Sequence, residues 1–148
     1  MESSVHFFTF TTKCRKTQLI PDNRARLHYV TKNNSTVKYP SYSLTLNSKI
    51  SNEITRNGLR YVRCGENTLT GELFLQFIQE KSPNTLNLSV SRNKNPEKSV
   101  VTIYNKQLVL FLMERFGIKE ENAATVDLNV SDNKSHTNGI VVLLISYV

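Results

Sequence analysis

The chain has 148 residues, of which 39% are hydrophobic, 9% aromatic and 21% charged, and this composition excludes disordered, collagen-like and coiled-coil proteins. A chain of this length can bury one sizeable core, or two small modules that share one, but it excludes three large domains. Nineteen lysines and arginines against twelve acidic residues give a net charge of +7, which favours anionic partners without identifying one.

Cysteine content and apolar runs indicate the compartment. The two cysteines, Cys14 and Cys64, are too few for a disulfide framework, and neither has the spacing of a metal ligand. No basic region precedes the first apolar residues, and the longest apolar run, residues 140–145, is far too short to cross a bilayer. We therefore expect a cytoplasmic protein without a membrane partner or a cofactor.

Most of the excess positive charge lies in residues 1–40, which hold seven basic and two acidic residues. Residues 5–12 form an aromatic and β-branched run, and residues 25–31 alternate moderately between apolar and polar. The Pro21-Asp22-Asn23 sequence between them is typical of a turn. This pattern predicts a basic N-terminal β-arm or hairpin over residues 1–40.

From residue 41 onward, the order strand, helix, strand, strand occurs twice. The first module, residues 41–84, has predicted strands at 42–46, 59–64 and 72–79 and a helix capped by Asn47 or Ser48 and closed by Asn57-Gly58. The second module, residues 99–148, has predicted strands at 99–104, 125–130 and 140–147, a helix capped by Asn105 and ended by Gly117, and a polar loop at 132–139. The last two strands of each module are expected to form a hairpin.

Residues 85–98 connect the two modules. Residues 85–91 alternate strictly and predict a linking strand, and residues 92–98 form a basic loop. The sequence thus predicts a β-rich α+β protein with two β-α-β-β modules and an N-terminal β-arm.

The second module carries four short motifs in order: Val101-Thr102-Ile103, Phe116-Gly117-Ile118-Lys119, residues 125–130 and residues 139–143. In this arrangement it resembles the swapped-hairpin module of AbrB-like and MazE-like transition-state regulators. The likeness covers about a third of the chain closely, and the first module shares only the order of elements. The resemblance implies a small barrel in which two copies interlock, here as a pseudo-dimer within one chain or as a homodimer, and it implies DNA binding.

The chain departs from this family after the first strand of the second module. Where the family has proline and basic residues, this chain has Tyr104-Asn105-Lys106 with one cation, which argues against DNA contacts by the second module. The helix that follows is nearly continuously apolar from Val109 to Met113, which predicts that it is covered on more than one side.

Catalytic and metal-binding patterns are lacking in the sequence. His6, His28 and His136 are far apart and have no ligand-spaced partner, and the chain has no phosphate-binding loop or nucleophile motif. Scattered acids such as Glu66, Glu72 and Asp127 would have to converge in space to form a catalytic site. We therefore expect a protein that is not an enzyme.

The basic residues define a candidate phosphate-binding surface. Cations cluster in the N-terminal segment, and others follow on a predicted strand and in the basic loop; surface lysines and arginines often do no more than solvate the protein. The candidate nucleic-acid-binding residues are Lys13, Arg15, Lys16, Arg24, Arg26, Arg60, Arg92 and Lys94. Arg60 and Arg63 are separated by an odd number of positions, so a regular strand places them on opposite sides.

Two functions are compatible with these features. The first is a nucleic-acid-binding transcriptional regulator, with DNA favoured over RNA, that contacts phosphates through the basic residues. The alternative is a non-catalytic accessory factor, of the kind found in phages and mobile elements, that binds a protein partner through the apolar helix or an exposed β-edge.

Overall fold

The computed structural model describes residues 20–21, 23–30, 41–91, 100–119, 123–131, 134–136 and 139–147. These residues form ten strands and two helices: β1 Arg24–Val30, β2 Ser41–Leu46, α1 Ser48–Arg56, β3 Tyr61–Glu66, β4 Leu73–Ile78, β5 Leu86–Asn87, β6 Ser89–Ser91, β7 Val100–Ile103, α2 Lys106–Arg115, β8 Ala123–Val130, β9 Lys134–His136 and β10 Gly139–Tyr147. Neither helix has the length and the apolar character that a membrane span requires.

The predicted elements from residue 24 onward are present, with ends that differ by one or two residues. Both predicted hairpins form, because β3 pairs with β4 and β8 pairs with β10. The predicted polar loop at residues 132–139 is wrong in part, since it contains β9, which pairs with β10. Backbone pairing in a short hairpin does not need apolar side chains, so the polar composition concealed this strand.

The antiparallel strands form a nearly closed barrel. Neighbouring strands follow the order β5-β3-β4-β10-β8-β1-β2-β7-β6. The two ends of this path, β5 and β6, are consecutive in the chain and are separated by Leu88 alone. Residues 86–91, predicted as a linking strand, therefore pair with β3 through their first half and with β7 through their second half.

The strand order contains a two-fold repetition. Each strand of the first repeat has a counterpart in the second: β1 corresponds to β5–β6, β2 to β7, β3 to β8 and β4 to β10. When counterparts are exchanged, every pair of neighbouring strands in the order is reproduced. The repeating unit is therefore strand, strand, helix, strand, strand, one strand longer than the repeat that the sequence suggested. The additional first strand is β1 in one unit and residues 86–91 in the other.

β1 lies inside the barrel wall between β2 and β8. The sequence assigned these residues to an N-terminal arm because alternation in a single strand does not reveal its neighbours. Residues 5–12 and the other residues of that segment, apart from 20–21 and 23–30, lie outside the described residues. The domain boundaries stay a prediction.

Both repeats contribute to one core. Alternate residues of the strands point into the barrel and are apolar and almost fully buried; among them are Leu27, Leu44, Val62, Leu75, Phe77, Ile103, Leu128 and Val142. The helices join the repeats further, because α1 packs against β7 and α2 packs against β2 and β1. Each helix thus covers strands of the other repeat, so the two repeats stabilise each other.

The two helices begin and end in the same way. The side chains of Asn47 and Asn105 accept hydrogen bonds from the backbone N–H groups of Ile50 and Leu108, at 2.8 and 2.9 Å. Gly58 and Gly117 follow the helix ends with φ values of 67° and 68°, a conformation that glycine adopts without strain. Both predicted caps and both predicted ends are confirmed.

α2 buries one face against the barrel, as its Leu108, Val109, Leu112 and Met113 show. Leu110 is half-buried, and Phe111 is 45% exposed. The prediction that the apolar helix is covered on more than one side is therefore wrong for the face that carries Phe111.

Asn47 offers a direct test of how the helix start is joined to the barrel. It is fully buried, and its Nδ2 also donates to the backbone oxygen of Arg24 at 3.0 Å. We expect Asn47→Ala to lower the free energy of unfolding by about 2–3 kcal/mol, since a cap and a buried backbone partner are both lost. Asn105→Ala, the matched control, should cost about 1 kcal/mol. Urea unfolding measures both, and equal losses would contradict a stabilising role for the bond to Arg24.

Candidate functional site

The outer side of β1 carries the basic residues of the described N-terminal part. Because side chains alternate along a strand, Ala25, Leu27 and Tyr29 point into the barrel and are buried, and the residues between them point outward. These outer residues are Arg24, Arg26 and His28. The alternation therefore places two arginines and a histidine on one side of a single strand.

The two arginines share one carboxylate. Asp127 lies opposite Arg26 on β8, and Arg26 Nε donates to its Oδ1 at 2.9 Å. Arg24 Nη1 lies 3.8 Å from Asp127 Oδ2, an ion-pair distance that is too long for a hydrogen bond. Two guanidinium groups beside one carboxylate leave an excess of one positive charge.

The arginines differ in how far their donors are satisfied. The side chain of Arg26 is 17% exposed and bound to Asp127, whereas that of Arg24 is 36% exposed. Arg24 Nε is buried and has no acceptor among the described residues. A guanidinium group has five donor hydrogens. Because the Nε–H of Arg24 is buried, an external anion can meet this side chain only through its exposed part.

Short hydroxyl side chains continue this surface across the neighbouring strands. One cross-strand row runs from Asp127 through Arg26 to Thr45, Thr102 and Ser89. The hydroxyl oxygens of Thr45 and Thr102 lie 3.2 Å apart. Thr102 is buried, so Thr45 is the member of this pair that an external ligand can reach. In the adjacent row, His28 Nδ1 lies 3.0 Å from Thr125 Oγ1. We call the outer side of β8, β1, β2, β7 and β6 the polar face.

Only part of the predicted basic site lies on the polar face. Arg24 and Arg26 lie together on it. Arg60 is exposed before β3, and its backbone bonds to Ile78 and Leu88 place it on the part of the barrel where β3 meets β4 and residues 86–91. In the strand order, residues 86–91, β7 and β2 separate β3 from β1. Lys13, Arg15, Lys16, Arg92 and Lys94 lie outside the described residues.

The tyrosines near these cations are largely engaged in packing. Tyr29 is buried, and its hydroxyl donates to the backbone oxygen of Lys119 at 3.1 Å. Tyr42 packs against the core, and the Nζ atom of Lys106 lies 5.6 Å from its ring centre. Tyr29 is therefore closed to base stacking.

Sequence reasoning treated Asp127 only as a scattered acid and did not select Thr45, Thr102 or Thr125. Their common signal is the outward position in alternating strands, but the pairing of β1 with β8 and β2 is needed to bring them beside Arg26. No group of three or more potential metal ligands is found among the described residues.

Cys64 lies on β3, half-buried against the core. Burial raises the pKa of the thiol to about 11, although Arg115 nearby acts in the opposite direction. Arg115 is itself bound to Glu66 Oε2 at 2.7 Å and to the backbone oxygen of Gly71 at 2.9 Å. Cys64 is therefore a packed thiol that stays protonated at neutral pH.

Comparison of the chain with models of protein families, with curated proteins and with solved structures found no match in any of the three.

The raised pKa of Cys64 predicts slow alkylation. In a Cys14→Ser background, we expect iodoacetamide to react with Cys64 about 100-fold more slowly in the folded protein than in urea at pH 8, because the pKa is raised from 9.0 to about 11. Folding stability should also fall as the pH rises from 9 to 11, since the thiol ionises first in the unfolded chain. Equal rates in the folded and unfolded states would contradict the buried thiol.

Proposed function

We propose that this chain is a nucleic-acid-binding protein, with DNA as the favoured ligand, and that the polar face contacts the phosphate backbone. The observation that carries the proposal is Arg24, which lies beside a second arginine on the outer side of β1, is partly exposed, and lies 3.8 Å from the Asp127 carboxylate, beyond hydrogen-bond range. Phosphate contacts by arginine and by serine and threonine hydroxyls position a protein on nucleic acid without reading its sequence.

Asp127 has a defined part in this proposal. Its carboxylate occupies the position of an anion between Arg24 and Arg26 and holds the Arg26 side chain against β8. It lowers the net charge of the site and repels an incoming phosphate. Asp127 thus orders the arginines and at the same time limits how tightly the face binds an anion.

The two arginines of the polar face lie on one of the two repeats. The positions of residues 86–91 that correspond to β1 in the other repeat carry uncharged outward side chains, Asn87, Ser89 and Ser91. The proposed protein therefore presents one phosphate-binding face per chain.

The resemblance to AbrB-like and MazE-like regulators supports the same proposal. Two strand-helix-strand-strand units in one barrel, each with its helix packed on strands of the other unit, fit a pseudo-dimer of interlocked modules. The swapped-hairpin arrangement is part of this proposal. We propose on the same grounds a DNA-binding regulator as the biological role.

The alternative, a protein-interaction factor, draws less support. Four apolar residues of α2 are buried in the barrel, which leaves Phe111 as its exposed apolar side chain. The strand path returns on itself through residues 86–91, so the described strands of this path do not end in a long free edge.

Neutralising the arginines tests the proposal directly. We expect Arg24→Gln to weaken binding to a labelled duplex about 5-fold at low salt and to reduce the salt dependence by about one counterion. Fluorescence anisotropy with duplex DNA, single-stranded DNA and RNA, each titrated at several salt concentrations, gives both quantities and ranks the three ligands. Arg56→Gln is the matched control, because Arg56 is an exposed cation on α1 that pairs with Glu53.

The control should change affinity much less than Arg24→Gln. Equal effects of the two substitutions would show that only net charge matters and would contradict a site on the polar face. Absence of binding by the unaltered protein at low salt would overturn the proposed function itself.

Asp127→Asn gives a prediction of opposite sign. Asparagine keeps an oxygen that can accept from Arg26 but removes the negative charge, so we expect binding to the duplex to tighten about 3- to 10-fold at low salt. The gain should largely disappear in an Arg24→Gln, Arg26→Gln background. A gain of the same size in that background would mean that Asp127 acts only through the overall charge of the protein.

A further inference from the structure

His28 is the third polar side chain on the outer side of β1. It follows Arg24 and Arg26 at intervals of two residues, so the strand places the three side chains in one row on one side. Two residues of a strand span about 6.7 Å, and neighbouring phosphates along one strand of a nucleic acid have a similar separation. The row therefore has the spacing at which three side chains can each meet one phosphate of the same strand.

One hydrogen bond orients the imidazole ring of His28. Thr125 lies opposite it on β8, and His28 Nδ1 lies 3.0 Å from Thr125 Oγ1. The other ring nitrogen, Nε2, has no hydrogen-bond partner among the described residues. Thr125 is exposed, whereas Ser43, which lies opposite His28 on β2, is buried. A ligand can therefore reach the ring from the side of β8, where Nε2 is available to it.

The nearest charged side chains in the register are already paired with each other. They are Arg26 on β1 and Asp127 on β8, which are joined by a hydrogen bond of 2.9 Å. On the other side, β2 presents the uncharged Ser43 and Thr45. Asp127 is thus engaged by an arginine and does not bind His28.

α2 is the remaining described element that packs against β1, and its charges are directed elsewhere. Lys106 lies over the ring of Tyr42. Arg115 binds Glu66, and Glu114 is exposed. Within the described part of the chain, the imidazole therefore has no carboxylate partner of its own, so a negative charge for its protonated form has to come from a ligand.

Protonation changes what the ring offers to a ligand. Histidine is the side chain that ordinarily gains or loses its charge between about pH 5 and 8. The neutral ring has one N–H donor, whereas the charged ring has two. When Nδ1 donates to the Thr125 hydroxyl, the charged ring keeps a second donor at Nε2 for an oxygen of a ligand. The row on β1 then carries three positive charges beside one carboxylate.

We infer that His28 is the third phosphate contact of the polar face and that it makes this contact in its charged form. A bound phosphate stabilises the positive charge of the ring, because opposite charges attract. Binding of nucleic acid therefore takes up a proton, and the affinity rises as the pH falls. This inference rests on the proposed function and adds to it a binding residue and a dependence on pH.

The pH dependence of duplex binding tests the inference. We expect the unaltered protein to bind a labelled duplex about 5-fold more tightly at pH 5.5 than at pH 8, at constant low salt, as one additional phosphate contact would give. Glutamine keeps a hydrogen-bond donor but cannot be charged, so His28→Gln should lose most of this dependence and change affinity little at pH 8. His136→Gln, which removes a histidine from β9, is the matched control and should keep the dependence. Fluorescence anisotropy measures the affinities, and urea unfolding at both pH values shows that each variant is folded.

The outcomes separate the inference from the proposed function. If the unaltered protein binds but His28→Gln has the same pH dependence, or is weakened equally at both pH values, the inference is overturned and the proposed function stands. If the unaltered protein does not bind at either pH, the proposed function is overturned and the inference with it.

A second measurement needs no variant. Nuclear magnetic resonance of the imidazole ring reports its protonation, and we expect addition of duplex at pH 7 to shift the His28 signals toward those of the charged ring. Signals that stay unchanged, or that move toward the neutral ring, while the duplex binds would overturn the inference.

Discussion

The register of β1 is the constraint on which the rest of the structure depends. Its pairing with β2 and β8 points Ala25, Leu27 and Tyr29 into the barrel and Arg24 and Arg26 outward. A slip by one residue would bury the arginines and expose the core residues. The same alternation that builds the core therefore also creates the basic part of the polar face.

Closure of the barrel holds that register in place. Residues 86–91 pair with both β3 and β7, so both neighbours of β1 belong to a sheet that returns on itself. Asn47 connects the start of α1 to the backbone of Arg24, and α2 also packs against β1. These contacts come from elements of both repeats. They hold Arg24 and Arg26 in place, although both arginines lie on a single strand of one repeat.

The fold could be predicted from the sequence further than the site. Helix caps at Asn47 and Asn105 and the glycines after each helix are local signals, and they identified both helices and the repeated order. The role of residues 86–91 in closure depends on pairs between strands far apart in the chain, which alternation cannot reveal. For the same reason the sequence could select Arg24 and Arg26 as cations but not the carboxylate of Asp127, which lies 101 positions away from Arg26. Arg60 shows the opposite error. The sequence grouped it with the other cations, but it lies at a different part of the barrel from Arg24 and Arg26.

The central claim is that Arg24 and Arg26 on the polar face meet phosphate. Nuclear magnetic resonance of the arginine Nε–Hε groups during titration with a short DNA duplex tests it most directly, because each guanidinium is observed by itself. We predict that the Arg24 signal shifts first and most strongly, that Arg26 follows as phosphate competes with Asp127, and that salt reverses both shifts. Shifts confined to residues of β3, β4 and β10, with the Arg24 and Arg26 signals unchanged, would contradict the account.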